Sequence, residues 1–159
     1  MEDIYSVDLS SECGVIYTKL RELLADKEWK KADEETVVVM LKATRREEEG
    51  WLTPESINNF PHTDLCTIDQ LWLIGSNRQF GFSVQKRIWE SMGGHPDATY
   101  ATWLKFCKDV GWRVSGEWIK LDVIYNTPSC KGHLPIIGLL KSWNVRWEFL
   151  RDFFSHPRL

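Results

Sequence analysis

The stretch LWLIGSNRQFGFSVQKRIW, residues Leu71 to Trp89, decides how the rest of the chain is read. Leading into it, Leu65, Ile68, Leu71 and Trp72 recur at helical spacing and stop at Gly75. Leading out of it, Val84, Ile88, Trp89 and Met92 keep the same period until Gly93 and Gly94. Two short helices joined by a glycine-bounded turn follow, and the fold class they set is all-α.

Working outward toward the N-terminus, Val15, Ile16, Leu20, Leu23 and Leu24 predict an amphipathic helix. WKKADEETVVVMLKATRR, from Trp29, puts Trp29, Ala32, Thr36 and Met40 on one helical face, so a helix hairpin is the simplest reading. EEEG closes it, and Thr53 then caps a short helix with Pro54 at its first position, running to Phe60 before Pro61 stops it. Asp64 reads as a cap for the helix that carries Leu65 and Ile68.

Toward the C-terminus, Asp97 reads as the cap of DATYATWLKFCKDVGW, whose Tyr100, Trp103, Leu104, Cys107 and Val110 form a buried stripe ended by Gly111. Beyond Ser115-Gly116 the period changes: Ile119, Leu121, Val123 and Tyr125 alternate with other residues and predict a small β excursion. TPSCKGHLP reads as loop, and Leu140, Trp143, Trp147, Leu150 and Phe154 give a last helical face before Pro157. The result is a compact multi-helix chain with one long irregular segment, Trp112 to Pro135, of a length that often carries function. No repeat or linker divides it, so residues 1–12 read as a polar N-terminal segment and 13–159 as a single domain.

Twenty Lys and Arg against 23 Asp and Glu leave a net charge of -3, which offers no excess of cations to neutralise phosphates and argues against nucleic acid. No apolar run reaches the roughly 18 residues a membrane span needs, although peripheral contact with a membrane is compatible with this composition. The acidic start MEDIYSVDLSSEC has neither a secretory nor a transit pattern, and the expectation is a bacterial-type cytoplasmic chain. Cys13, Cys66, Cys107 and Cys130 form no CxxC pair, and the four histidines form no ligand pair, so no metal site is expected. There is no nucleophile elbow, phosphate loop or dinucleotide fingerprint, and the sequence does not read as an enzyme.

Nine Trp in 159 residues exceed what core building demands. Around the irregular segment, Trp112, Arg113, Trp118, Lys120, Tyr125, Lys131 and His133 interleave rings with cations. Such a set suits a flat, apolar, anionic ligand, whose face the rings cover while the cations meet its carboxylates. The plainer alternative is that the rings seal a thin core and the cations are solvated.

LWLIGSNRQFGFSVQKRIW, together with WKKADEETVVVML, FPHTDL, GW and KGHLP in this order and spacing, resembles the Genomes Uncoupled Four (GUN4-like) family of tetrapyrrole-binding proteins. The resemblance runs from about Tyr17 to Pro135 and is most specific at Phe80-Gly81-Phe82-Ser83-Val84-Gln85. It implies a cupped-hand helical domain that binds protoporphyrin IX or Mg-protoporphyrin IX, requires no other cofactor, and stimulates magnesium chelatase without catalysis, the large chelatase subunit being the implied partner. It also implies a greasy concavity bounded by Glu49 to Phe60 on one side and Trp112 to Ile137 on the other. Trp51, Leu52 and Phe60 would line the first side; Trp112, Trp118, Tyr125, Leu134, Pro135 and Ile137 would line the second.

Arg113, Lys120, Lys131 and His133 would then meet the propionates, with His133 as an alternative axial ligand to magnesium. Phe80, Phe82 and Gln85 carry the motif but are expected to pack the core. Two departures stand out. Family members often have a helical bundle before the core where this chain has about a dozen residues, and Ile136 to Leu140 is greasier than the polar residues usual there. A bilin-binding module, a pigment sensor or an interaction domain without action on the chelatase is therefore the alternative.

Overall fold

A computed structural model describes residues 2–126, 130–136, 147–157 and 159. After a 3-10 turn at Ile4–Ser6 come α1 (Thr18–Ala25), α2 (Trp29–Thr44), α3 (Pro54–Asn58), α4 (His62–Gly75), α5 (Phe82–Ser91) and α6 (Tyr100–Asp109). A two-stranded ribbon, β1 (Arg113–Val114) and β2 (Glu117–Trp118), is followed by α7 (Leu121–Asn126) and α8 (Trp147–Phe154). Among the described residues the fold is all-α apart from that ribbon, and none of the described helices is long and apolar enough to cross a membrane.

Helix α4 buries most of its circumference, Leu65, Ile68, Leu71, Trp72 and Leu73 together with the polar Asp64, Thr67 and Asp69, so it is an interior helix whose carboxylates must find donors. Helix α1 packs on both α2 and α4, with Leu20 and Leu24 buried, and α2 buries Ala32 and Met40. Trp72 donates its indole N–H to Thr36 Oγ1 at 2.9 Å, so a polar atom on the inner face of α2 meets the one polar atom of a buried ring. On the other side, α5, α6 and α8 bury a cluster of rings: Trp103 lies 6.1 Å from Trp89, 5.3 Å from Phe106, 6.3 Å from Trp112 and 6.4 Å from Phe154.

The turn inside the opening motif has a tertiary cap. Gly81 has φ 130°, where an L side chain is strained, and a Cβ on it would stand 2.9 Å from Asp69 Oδ1. That oxygen, from α4, accepts the Ser83 backbone N–H at 2.9 Å in the first turn of α5. Burial raises the Asp69 carboxyl above its ordinary value, while the hydrogen bonds from Ser83 pull the other way. A raised folded-state value means the cost of its charge is present at neutral pH and is relieved as pH falls toward that value. Asp69→Ala should cost about 1–2 kcal/mol in urea unfolding, because a helix N–H loses its acceptor, and Asp69→Asn should cost less.

Several expectations are corrected. Ile16 precedes α1 and is 78% exposed, because the helix starts only at Thr18. Asp64 is not a cap: it is fully buried within the first turn of α4 and accepts from Ser11 Oγ, Glu12 N and Tyr17 OH, which pins residues 11–17 onto that helix. Helix α6 begins after Thr99 rather than at Asp97, and Thr99 makes no side-chain capping bond.

The ribbon forms as the Ser115-Gly116 signal implies. Both turn residues have positive φ, 52° and 82°, and Arg113 pairs with Trp118. The alternation from Ile119 to Tyr125, however, is not strand. Leu121–Asn126 is helical, since a run this short does not separate period 2 from period 3.6 and burying Ile124 while anchoring Tyr125 decides it. In the last helical face, Leu150 and Phe154 are buried as expected, whereas Leu140 and Trp143 lie outside the described residues.

Candidate functional site

The segment Gly132 to Ile136 is buried, and its backbone is accounted for group by group. Gln85 Nε2 donates to Gly132 O at 3.0 Å and to Pro135 O at 2.9 Å. Gly81 N–H donates to Leu134 O at 3.0 Å, and Trp112 Nε1 donates to His133 O at 2.8 Å. Gly132 N–H donates to Gln79 O at 2.7 Å, and Ile136 N–H to the Asp33 carboxylate at 3.1 and 3.2 Å. Four consecutive carbonyls are thus accepting, and the glycine-bounded turn and the GHLP segment are two halves of one clamp.

His133 belongs to that clamp and not to a rim. It is 3% exposed, with Nδ1 2.7 Å from Val110 O and Nε2 3.2 Å from Ile124 O. Each tautomer donates to one of these carbonyls, at the end of α6 or in α7, and no nitrogen faces outward toward a propionate or a metal. Among the described residues no group of three or more potential metal ligands occurs. Trp112 and Leu134 are likewise core residues, and Pro135 is buried with its carbonyl on Gln85.

Tyr125 ties α7 to α2, donating its hydroxyl to Asp33 Oδ2 at 2.8 Å. Burial first, and then the Asp33 charge and hydrogen bond, push the Tyr125 hydroxyl far above the ordinary phenol value, so it remains a donor. Lys120 and Lys131 are exposed, and Ile137 lies outside the described residues.

What faces outward is aromatic and basic. Trp118 is 54% exposed and Trp51 53%, in a protein that buries Trp72, Trp89, Trp103 and Trp112. Each exposed indole has an arginine against it: Arg113 lies 5.9 Å from the Trp118 ring centre and Arg46 5.9 Å from that of Trp51. Arg46 Nε also donates to Trp51 O at 2.8 Å, fixing the loop in which Trp51 stands, while its neighbours Leu52 and Phe60 are buried. Val114 and Val123 add exposed apolar surface around the ribbon.

The Arg113 Nε atom is buried yet has no hydrogen-bond partner among the described residues. Beside it is a cavity of about 280 Å³ between α6 and the ribbon, which also takes in Lys105 and Lys108. Sequence reasoning misses these two lysines. Their i, i+3 spacing on the polar face of α6 is the only signal, and only folding the ribbon back sets Arg113 next to them.

Similarity to known proteins covers nearly the whole chain. A GUN4-like family model matches residues 10–157. The chain is 29% identical to a Ycf53-like protein of Synechocystis sp., with 94% of this chain and 61% of that protein covered. It is 25% identical to the chloroplastic tetrapyrrole-binding protein of Arabidopsis thaliana, with 92% and 56% covered. The chain therefore spans about 60% of the length of these curated relatives. The structure of GUN4 from Chlamydomonas reinhardtii superposes with a TM-score of 0.75 at 31% identity, covering 98% of this chain and 99% of that one. With the family model and the fold agreeing, this chain belongs to the GUN4-like family.

Proposed function

We propose that this protein binds a tetrapyrrole, protoporphyrin IX or its magnesium derivative, without transforming it, and that in the bound form it stimulates magnesium chelatase in chlorophyll synthesis. The observation that carries the binding reading is Trp118: a large apolar ring more than half exposed, with a guanidinium beside it, on a ribbon anchored to a rigid clamp. Membership of the GUN4-like family and the name of the Arabidopsis relative support it.

The energetics require both ring and cation. Stacking about 300 Å² of pigment face at roughly 25 cal/mol per Å² gives on the order of 7 kcal/mol, of which association removes about 4 or more. The remainder is weak, so charge-assisted contacts to the carboxylates supply the useful affinity. Trp51, on its own arginine-backed loop, is the second stacking surface in this reading.

Tryptophan quenching during titration with protoporphyrin IX, Mg-protoporphyrin IX and biliverdin tests the assignment. Saturable quenching by the two porphyrins at micromolar ligand is the expected result. Response to biliverdin alone would move the protein to a bilin pathway, and silence with all three would reject pigment binding. Arg113→Ala should weaken porphyrin binding by about 1–3 kcal/mol, whereas Lys30→Ala, on the exposed side of α2, should leave it unchanged. Addition of the porphyrin-loaded protein to a reconstituted chelatase, scored by the rate of magnesium insertion, tests the regulatory half.

A further inference from the structure

Lys105 and Lys108 lie one turn apart on α6, on the face that also carries Ala101 and Leu104, and the ribbon folds Arg113 and Ser115 against that face to close a cavity. Three cations and a hydroxyl surround it over a small apolar floor, and among the described residues no carboxylate lines it. In a protein of net charge -3 this is a local reversal of sign. The ion pairs formed among the described residues involve none of the three: they join Lys19, Arg21, Lys31, Arg46, Arg78, Lys86 and Arg151 to acidic partners elsewhere. The Nε of Arg113 is enclosed and has no acceptor among the described residues, so the guanidinium meets a ligand through its terminal nitrogens.

We infer that this cavity is a dicarboxylate pocket, in which Lys105, Lys108 and Arg113 receive the paired acid groups on one edge of the tetrapyrrole while its face lies on Trp118. The inference rests on the binding reading above and deepens it. It assigns two lysines of α6 to the ligand and makes the free diacid the recognised form. Arg113 connects the two halves, since its guanidinium stands over the Trp118 ring and its side chain lines the pocket. Leu104 and Ala101 provide apolar contact for the pyrrole edge between the acid arms.

The test compares deuteroporphyrin IX with its dimethyl ester, which keeps the ring and removes both charges, by fluorescence quenching of the whole protein. The native protein should bind the diacid about tenfold or more tightly than the ester. Lys105→Gln/Lys108→Gln should bring diacid affinity most of the way down to the ester's, Arg113 keeping the remainder, and leave the ester unchanged. Lys30→Gln/Lys42→Gln, which removes the same charge from exposed positions on α2, should leave the diacid preference intact. Equal native affinity for diacid and ester overturns the pocket while leaving pigment binding standing. So does a loss in the α6 variant that is shared by the ester, or matched by the α2 control. Failure of the native protein to bind either porphyrin overturns both.

Discussion

Gln85→Leu should lower the free energy of unfolding by about 3 kcal/mol, although leucine is close to glutamine in volume and more apolar. The side chain is fully buried, and its amide nitrogen donates to both Gly132 O and Pro135 O, the one donor to either carbonyl among the described residues. Leucine leaves two carbonyls in the core without hydrogen, each costing about 1–3 kcal/mol. A partial offset comes from Gln85 Oε1, which is already buried without a partner and disappears with the amide. Gln85→Glu should be worse than Gln85→Leu, because it sets an acid between two carbonyl oxygens in a fully buried site. Urea unfolding followed by far-UV circular dichroism ranks the three proteins; a leucine variant as stable as the native protein would show that the clamp does not hold the fold.

Asp33→Ala should cost a similar amount, about 3 kcal/mol, by a different route. The carboxylate is fully buried on α2 and accepts the Ile136 N–H and the Tyr125 hydroxyl, so it fastens both the GHLP segment and α7 to the hairpin. Hydrogen bonds to a charged acceptor are worth about 1.5–3 kcal/mol each, and losing the acceptor also strands a buried backbone donor. Tyr125→Phe removes one of those bonds and should cost about 1 kcal/mol. Added to Asp33→Ala it should cost almost nothing, which a double-mutant cycle measures directly.

The same pair sets an alkaline limit. With the folded-state value of the Tyr125 phenol raised above 10.0, the stability it contributes is present below pH 10 and declines as the unfolded chain begins to ionise above it. Tyr17, raised by burial and by its bond to Asp64, acts in the same direction. Tyr125→Phe should flatten the fall in stability above pH 10 by the share of one phenol.

Local chemistry was legible from the sequence where the partners are near in the chain. Thr53 caps α3 and accepts the Ser56 N–H at 3.1 Å, with Pro54 at the first position, as the dipeptide implies. The inner face of α2 follows from period alone and the stop at Gly111 from backbone freedom, whereas Gly75 ends α4 with ordinary φ and is small because a Cβ there would stand 2.9 Å from Leu24 Cβ. The placement of polar side chains did not. His133 looks like an outward ligand until its two carbonyl partners, 9 and 23 residues away, are in place. Asp64 looks like a cap until residues 11–17 fold across it. Tryptophan count signalled surplus rings but not which ones: Trp112 and Trp118, six positions apart and paired with the same arguments in sequence, end up in the core and on the surface because the ribbon turns between them.

The distribution of those rings also makes the molecule its own double reporter. Trp89, Trp103, Trp112, Phe106 and Phe154 form a continuous set of centre-to-centre contacts between 5.1 and 6.5 Å that draws on α5, α6 and α8. Rings so fixed in one asymmetric arrangement produce a near-ultraviolet dichroism that vanishes once side-chain packing loosens, even where helices persist. Trp51 and Trp118 stand outside that set and are open to a dissolved quencher such as iodide. Dichroism then follows the integrity of the interior and iodide-accessible emission follows the outer face, two signals from one type of residue with no label attached.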